Sequence, residues 1–254
     1  MKRSISNKVI YYFIGIILLI GIWFLLSYLI GEGTMVFPNP IDTFKEMFNI
    51  LSKKYIYQCI GSSILRMVIG FLISIVLALI FGLLAGNSEK FKTILIPLMT
   101  TLKSIPTASL VFLFLVLVGA KNAPILLVIL ISFPILYESV VGGIENIDKD
   151  VIDATKVDGG NLFRRVLRVQ LPLSISYILV GISSSFGLSF KIEIMAEILT
   201  GDTRSGLGSA ILAAQKNDPT NMVPIFAYSL IAIIFILIIS LISGLIKKRV
   251  NSKI

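Results

Sequence analysis

The sequence predicts an all-α integral membrane protein of six spanning helices with both termini cytoplasmic. Three observations predict it. The chain of 254 residues is 56% hydrophobic and only 15% charged, with mean hydropathy +0.95; soluble domains sit nearer ~45–50% apolar and ~25% charged. Its apolar residues fall into long runs, and about 20 such residues suffice for a helix to cross the bilayer. Lys and Arg are divided unevenly, 14 at one set of helix ends and 6 at the other, with Arg66, Lys103 and Lys191 in or at the edge of spans. The basic side is the cytoplasmic one.

The runs are residues 9–30, 60–86, 91–118, 122–144, 172–192 and 222–246, within one membrane domain covering 1–254. Met1-Lys2-Arg3 resembles a signal-peptide start. The following stretch is too long for a cleaved segment and lacks a small-x-small site, so a retained span is expected. The run 91–118 is interrupted by Lys103-Ser104-Ile105-Pro106. Backbone groups in hydrocarbon must be paired internally, which leaves a helix bundle. The short alternating segments of a β-barrel are absent from the sequence.

Composition excludes several functions. The net charge of +9 fits an anionic membrane surface better than nucleic acid, given the apolar runs. With no His and the single Cys59, a thiol–imidazole pair, a His-ligated metal and an internal disulfide are impossible. No phosphate-binding Gly-x-x-x-x-Gly-Lys-[Ser/Thr] loop occurs, so any ATP would be bound by another chain.

Two loops carry information. The outer segment 31–57 contains Phe37-Pro38-Asn39-Pro40, an extended turn. Ile41, Phe44, Met47, Phe48 and Leu51 then recur at helical spacing, which suits a helix on the outer face or one capping the bundle. The inner segment 145–171 predicts a short helix. Asp148 or Asp150 caps it, Val151, Ile152, Ala154 and Val157 form one apolar side, and Gly159-Gly160 ends it. Asn161 caps a second helix carrying Arg164, Arg165 and Arg168, and Leu171-Pro172 opens the fifth span. The short helix either docks a soluble partner or folds back on the membrane.

Asp153-Ala154-Thr155, Gly159 and Leu171-Pro172 resemble the "EAA…G…LP" loop of bacterial ABC importer permeases. Phe37-Pro38-Asn39-Pro40, Ser62–Arg66, Lys103–Pro106, Phe133–Leu136, Ala196-Glu197 and Ser205-Gly206-Leu207-Gly208 are similar to the nitrate/sulfonate/taurine-type branch, over about residues 35–250. The chain departs from the pattern in Asp153 for Glu, Thr155 for the second Ala, and Gly160 and Asn161 where Ala and Ser are usual. The resemblance implies a type I importer permease bundle in the cytoplasmic membrane, paired with a second permease, a copy of itself or a related chain. It implies ATPase subunits below and an extracytoplasmic solute-binding protein above. Val151–Gly160 would then be the coupling helix, with ATP and magnesium on the ATPase and no cofactor in this chain. Cargo in such relatives includes nitrate, sulfonates, taurine, bicarbonate and vitamin precursors.

Ionisable residues within spans mark candidate pathway positions, because they are costly in lipid. Lys103 lies 11 residues past Lys92, about 17 Å deep at ~1.5 Å per residue. It is the first pathway candidate, beside Pro106; the alternative is a bond to an acid or carbonyl on a neighbouring helix. Arg66 is expected to snorkel to the outer interface. Lys191, Glu193 and Glu197 either rim the entrance or pair with each other. Glu138 is expected to pair with a cation of the cytoplasmic side. Gly181, Ser183, Ser184, Ser185, Gly187 and Ser189 are expected to pack helices, with a polar pathway lining, Ser189 above all, as the alternative. Ser205–Gly208 is either a contact for the binding protein or a plain turn. The competing function is a secondary transporter or channel without an ATPase. Its coupling ions would require intramembrane carboxylates, and the reading places only Glu138 well inside a span.

Overall fold

The computed structural model describes residues 2–31, 37–157, 161–201 and 205–251. The described residues form helices and connecting turns. The helices are α1 Lys2–Gly31, α2 Pro40–Leu51, α3 Lys54–Asn87, α4 Glu89–Ser104, α5 Thr107–Val118, α6 Ala123–Glu145, α7 Lys149–Val157, α8 Leu162–Arg165, α9 Leu171–Thr200, α10 Leu207–Asn217 and α11 Val223–Asn251. Among these residues α1, α3, α6, α9 and α11 are long and apolar enough to cross a membrane singly.

Small residues set the centre of the bundle. Gly70, Ser74, Ala78, Gly82 and Gly86 recur every four positions and so form one stripe along α3. A Cβ on Gly70 would lie 3.0 Å from Val128 Cβ, on Gly82 2.7 Å from Val140 Cβ, and on Gly86 2.9 Å from Ile144 Cβ. The partner is 58 positions on in each case, so α3 and α6 run parallel. α9 runs antiparallel to both. Gly143 meets Ser174 while Ser132 meets Ser189, and Asn87 meets Gln170 while Ser63 meets Glu197. Close backbone approach through small residues substitutes for the hydrophobic drive that lipid cannot supply.

The parallel pair fixes the topology. α3 and α6 can point the same way only if the chain crosses back between Asn87 and Ala123. That segment is α4 and α5, bent by 96°. The pair therefore supplies the sixth traversal. The run expected over 91–118, interrupted at Lys103–Pro106, is two helices that break at that interruption. Pro106 is the cause: it lacks an N–H and drives the preceding Ile105 out of the helical region, to φ −71°, ψ 129°.

The fifth span, expected over 172–192, is also corrected. Leu162–Gln170 leads into α9 without a break, and α9 continues to Thr200. Pro172 therefore lies inside a helical run. The preceding turn, Val166–Gln170, is widened, with Leu171 N–H bonding Val166 O, which makes room for the proline ring. Asn161 precedes α8 without a side-chain cap.

On the outer side, Asn39 Oδ1 caps α2 by accepting from Ile41 N–H at 2.9 Å, with Pro40 in the first turn. The buried side of α2 includes Thr43, Met47 and Ile50, of which only Met47 belongs to the expected stripe. Ile41, Phe44 and Phe48 face outward. Trp23 of α1 donates to Pro38 O at 3.2 Å and lies 6.1 Å from the Phe44 ring at a 44° tilt, fastening the first helix to this segment.

Candidate functional site

Three groups of polar residues stand out against the apolar bundle, at its outer end, along α4–α6, and at the inner loop.

At the outer end, Arg66 of α3 donates to Glu193 Oε1 at 2.8 Å and to Glu197 Oε1. Glu193 and Glu197 are 0% and 2% exposed. Ser63 also donates to Glu197 Oε1, at 2.6 Å. The cluster reaches on to the loop before α10. Arg66 donates to Ser205 O at 3.0 Å, Gly208 N–H donates to Glu197 Oε2 at 2.6 Å, and Leu207 N–H donates to Ser63 Oγ at 2.9 Å. Gly206 has φ +141°, and a Cβ there would lie 2.5 Å from Glu197 Cδ. Only glycine fits this loop against that carboxylate. Ser205–Gly208 is thus an anchored loop, neither a plain turn nor free. Arg66 does not snorkel, because its partners lie within the bundle. Glu193 and Glu197 pair with Arg66 and not with Lys191, which is exposed. These two acids lie in the part of α9 beyond residue 192, where the fifth span was expected to end. They did not end the helix because Arg66 compensates them.

Along α4–α6, Lys92 pairs with Glu145 and Lys103 with Glu138. Glu138 thus pairs with Lys103 and not with the cytoplasmic-side cation expected, and Lys103 takes its alternative, an acid on a neighbouring helix. Glu138 is seven residues from Glu145, or about 10 Å of helix, so Lys103 meets α6 nearer its inner end than a straight rise implies. α4 is tilted against α6. The Lys103 and Glu138 side chains are 42% and 53% exposed. Exposed charges at this depth face a water-filled space or a partner and not lipid tails. Ser189 is fully buried, 2.7 Å from Ser132 Oγ, and Ser185 bonds Gly181 O at 2.6 Å. These serines pack α9 on α6. No side-chain atom lies within 4 Å of a Cβ at Gly187, so that glycine is not a packing contact.

At the inner end, Asp148 caps α7 by accepting from Asp150 N–H at 3.1 Å. Val151 and Ala154 are exposed, whereas Ile152 turns inward and, with Asp153, lines a cavity of about 440 Å³ under α3 and α6. The single apolar side expected of α7 is therefore divided. Val157 closes the helix, with its side chain outside the described residues, as are Gly159 and Gly160. The same cavity is bounded by Asn87 and Gln170, whose side-chain amides bond each other reciprocally at 2.8 Å. This amide pair, with Gln170 buried and Asn87 half-buried, ties the widened turn before Leu171 and Pro172 to the inner end of α3. Nothing in the local pattern announces it, since Asn87 and Gln170 lie 83 positions apart.

Comparison with known proteins agrees with this arrangement. The chain is 30% identical to the putative aliphatic sulfonates transport permease protein SsuC of Bacillus subtilis, over 81% of this chain and 74% of that one. It is 26% identical to the nitrate import permease protein NrtB of Leptolyngbya laminosa, over 98% and 88%. Its fold is similar to that of the MetNI methionine ABC transporter in an inward-facing crystal form, with TM-score 0.63 and 17% identity over 80% of this chain and 97% of that chain. An amino acid ABC transporter gives TM-score 0.62 at 17% identity, covering 75% and 92%. Residues 74–254, from the middle of α3 through α11, match the binding-protein-dependent transport system inner membrane components. The chain belongs to that family of ABC transporter permeases.

Proposed function

We propose that this permease forms, with a second identical copy, the solute pathway of an ATP-driven importer, and that α7 is its docking element for the ATPase. The carrying observation is α7 itself, a capped helix at the inner ends of α6 and α8 that presents Val151 and Ala154 outward. In this reading Val151, Ile152, Asp153, Ala154, Val157, Gly159 and Gly160 form the coupling segment, and Leu171-Pro172 joins it to α9. ATP and magnesium belong to the ATPase, which performs all hydrolysis. Closure of the ATPase pair favours one bundle arrangement over the other by differential binding, which drives alternating access. A binding protein delivers the solute at the outer face, near Ser205–Gly208. The names of the relatives support a small organic or inorganic anion such as a sulfonate or nitrate; the resemblance adds taurine and a small vitamin precursor as further classes.

Ala154→Arg places a charge on the exposed side of α7. The expected result is normal insertion with loss of the co-purifying ATPase and of uptake. ATPase retained at wild-type stoichiometry would overturn the assignment of α7.

The pathway reading places Lys103 and Pro106 at the bend between α4 and α5, with Lys191, Glu193 and Glu197 toward the entrance. Lys103→Met is expected to lower uptake several-fold at unchanged yield. The double variant Lys103→Met/Glu138→Leu separates the two roles of the lysine. A structural pair predicts recovery of uptake in the double variant, and a pathway role predicts none.

A further inference from the structure

Movement of α7 has to reach the bundle before it can move a pathway, and α7 itself packs poorly there. Among the described residues it makes no extensive contact with another helix. The cavity of about 440 Å³ stands between Ile152 and Asp153 on one side and Gly86, Asn87 and Ile144 on the other. The next helix along the chain, α8, passes through the widened turn into α9 without a break. Gln170 closes that turn and is 1% exposed. Its amide exchanges two hydrogen bonds with Asn87. Asn87 Nδ2 donates to Gln170 Oε1, and Gln170 Nε2 donates to Asn87 Oδ1, each at 2.8 Å. Asn87 Nδ2 also donates to Leu83 O at 2.9 Å, which fixes the side chain to its own helix. Asn87 is the last residue of α3, and Ser88 caps α4 by accepting from Phe91 N–H at 3.3 Å. One amide pair thus joins the entry of α9 to the corner from which α4 leaves toward Lys103.

We propose that Asn87 and Gln170 are positioning residues of the transport cycle. Their paired amides carry displacement of the coupling segment to the α3–α4 corner, so that α4 moves with the ATPase. Direction is the reason for amides. Hydrogen bonds weaken steeply when bent, so two of them hold the turn and the corner in one register. Apolar contact is non-directional and lets the same surfaces slide. The inference rests on the docking reading of α7 and extends it one contact inward.

Thr100 of α4 is exposed and borders the space between α4 and α6. A Thr100→Cys permease–ATPase complex in nanodiscs is labelled with a charged methanethiosulfonate reagent, with and without ATP and vanadate. Labelling is timed on the permease peptide by mass spectrometry. Cys59 is 1% exposed and stays unlabelled while the bundle is folded. With the native pair, ATP and vanadate are expected to change the Thr100→Cys rate at least several-fold. Asn87→Leu/Gln170→Met replaces both amides by apolar groups of similar shape, an exchange that is nearly neutral for stability. The ATPase is expected to co-purify with this variant and to hydrolyse ATP, but the rate no longer responds. Asn87→Leu alone should give the same loss, and it spares the fold because Asn87 is half-buried at a helix end. Asn87→Gln/Gln170→Asn rebuilds the amide pair at the same total length, and the response returns. No response with the native pair, a response kept in either apolar variant, or none in the amide exchange would each overturn the proposal. Failure of the α7 reading shows separately, as an ATPase that stays bound to Ala154→Arg.

Discussion

Arg66→Met is expected to remove most of the folded protein from the membrane. The arginine is the one cation among the described residues bonded to Glu193 and Glu197, which are fully buried. Removing one partner of a buried pair leaves uncompensated charge, and such changes cost about 3–5 kcal/mol. The damage extends to the loop, because Arg66 also holds Ser205 O. Detergent-extracted yield and thermal unfolding followed by size-exclusion chromatography measure the effect. Arg66→Lys keeps the charge but not the fork of donors, so it should fall between the wild type and Arg66→Met. A wild-type melt for Arg66→Met would show that the cluster is not a stabilising element. Gly206→Ala tests the same latch from the loop side. It should loosen Ser205–Gly208 and weaken uptake with less loss of yield, since Arg66 keeps its bond to Glu193.

The second large effect is expected at the seam of α3 and α6. A Cβ on Gly70 would lie 2.8 Å from Ile125 O and 3.0 Å from two atoms of Val128. A backbone carbonyl in a helix cannot retreat as a side-chain end can. Gly70→Leu must therefore force the helices apart, and overpacking of this kind costs about 1–3 kcal/mol. Since α9 packs on both helices, the separation spreads to the Ser132–Ser189 and Asn87–Gln170 contacts. Gly15→Leu and Gly21→Leu are the controls, because a Cβ at either position meets nothing within 4 Å. A thermal melt should fall for Gly70→Leu and stay put for both controls. Equal melts would mean that the seam is loose in the bilayer.

Much of the molecule was legible in the residues. The apolar runs located the spans, the Lys and Arg bias oriented them, and the motif from Asp153 to Pro172 carried the family. Asp148 announced a helix start that the structure bears out. The stripe from Gly70 to Gly86 was also readable, as a four-residue period of small side chains. The polar sites were less legible. Glu193 and Lys191 end an apolar window when each charge is scored alone, so the fifth span was cut short. Arg66 looked like a snorkelling side chain because its partners lie 127 and 131 positions away.

The sequence by itself determined which segments enter the membrane, their direction and the family. Transfer from water to lipid, loop charge and short motifs are local properties, summed residue by residue. Only the tertiary structure decided that α4 and α5 form one bent crossing, that Glu193 and Glu197 are compensated, and that Lys103 faces Glu138. Each of these depends on which helices lie side by side. In a bilayer the lipid contact of one apolar face is nearly as favourable as that of another, so hydropathy cannot choose the neighbours. Close approach at glycines and pairing of buried charges make that choice, and both are properties of two helices together.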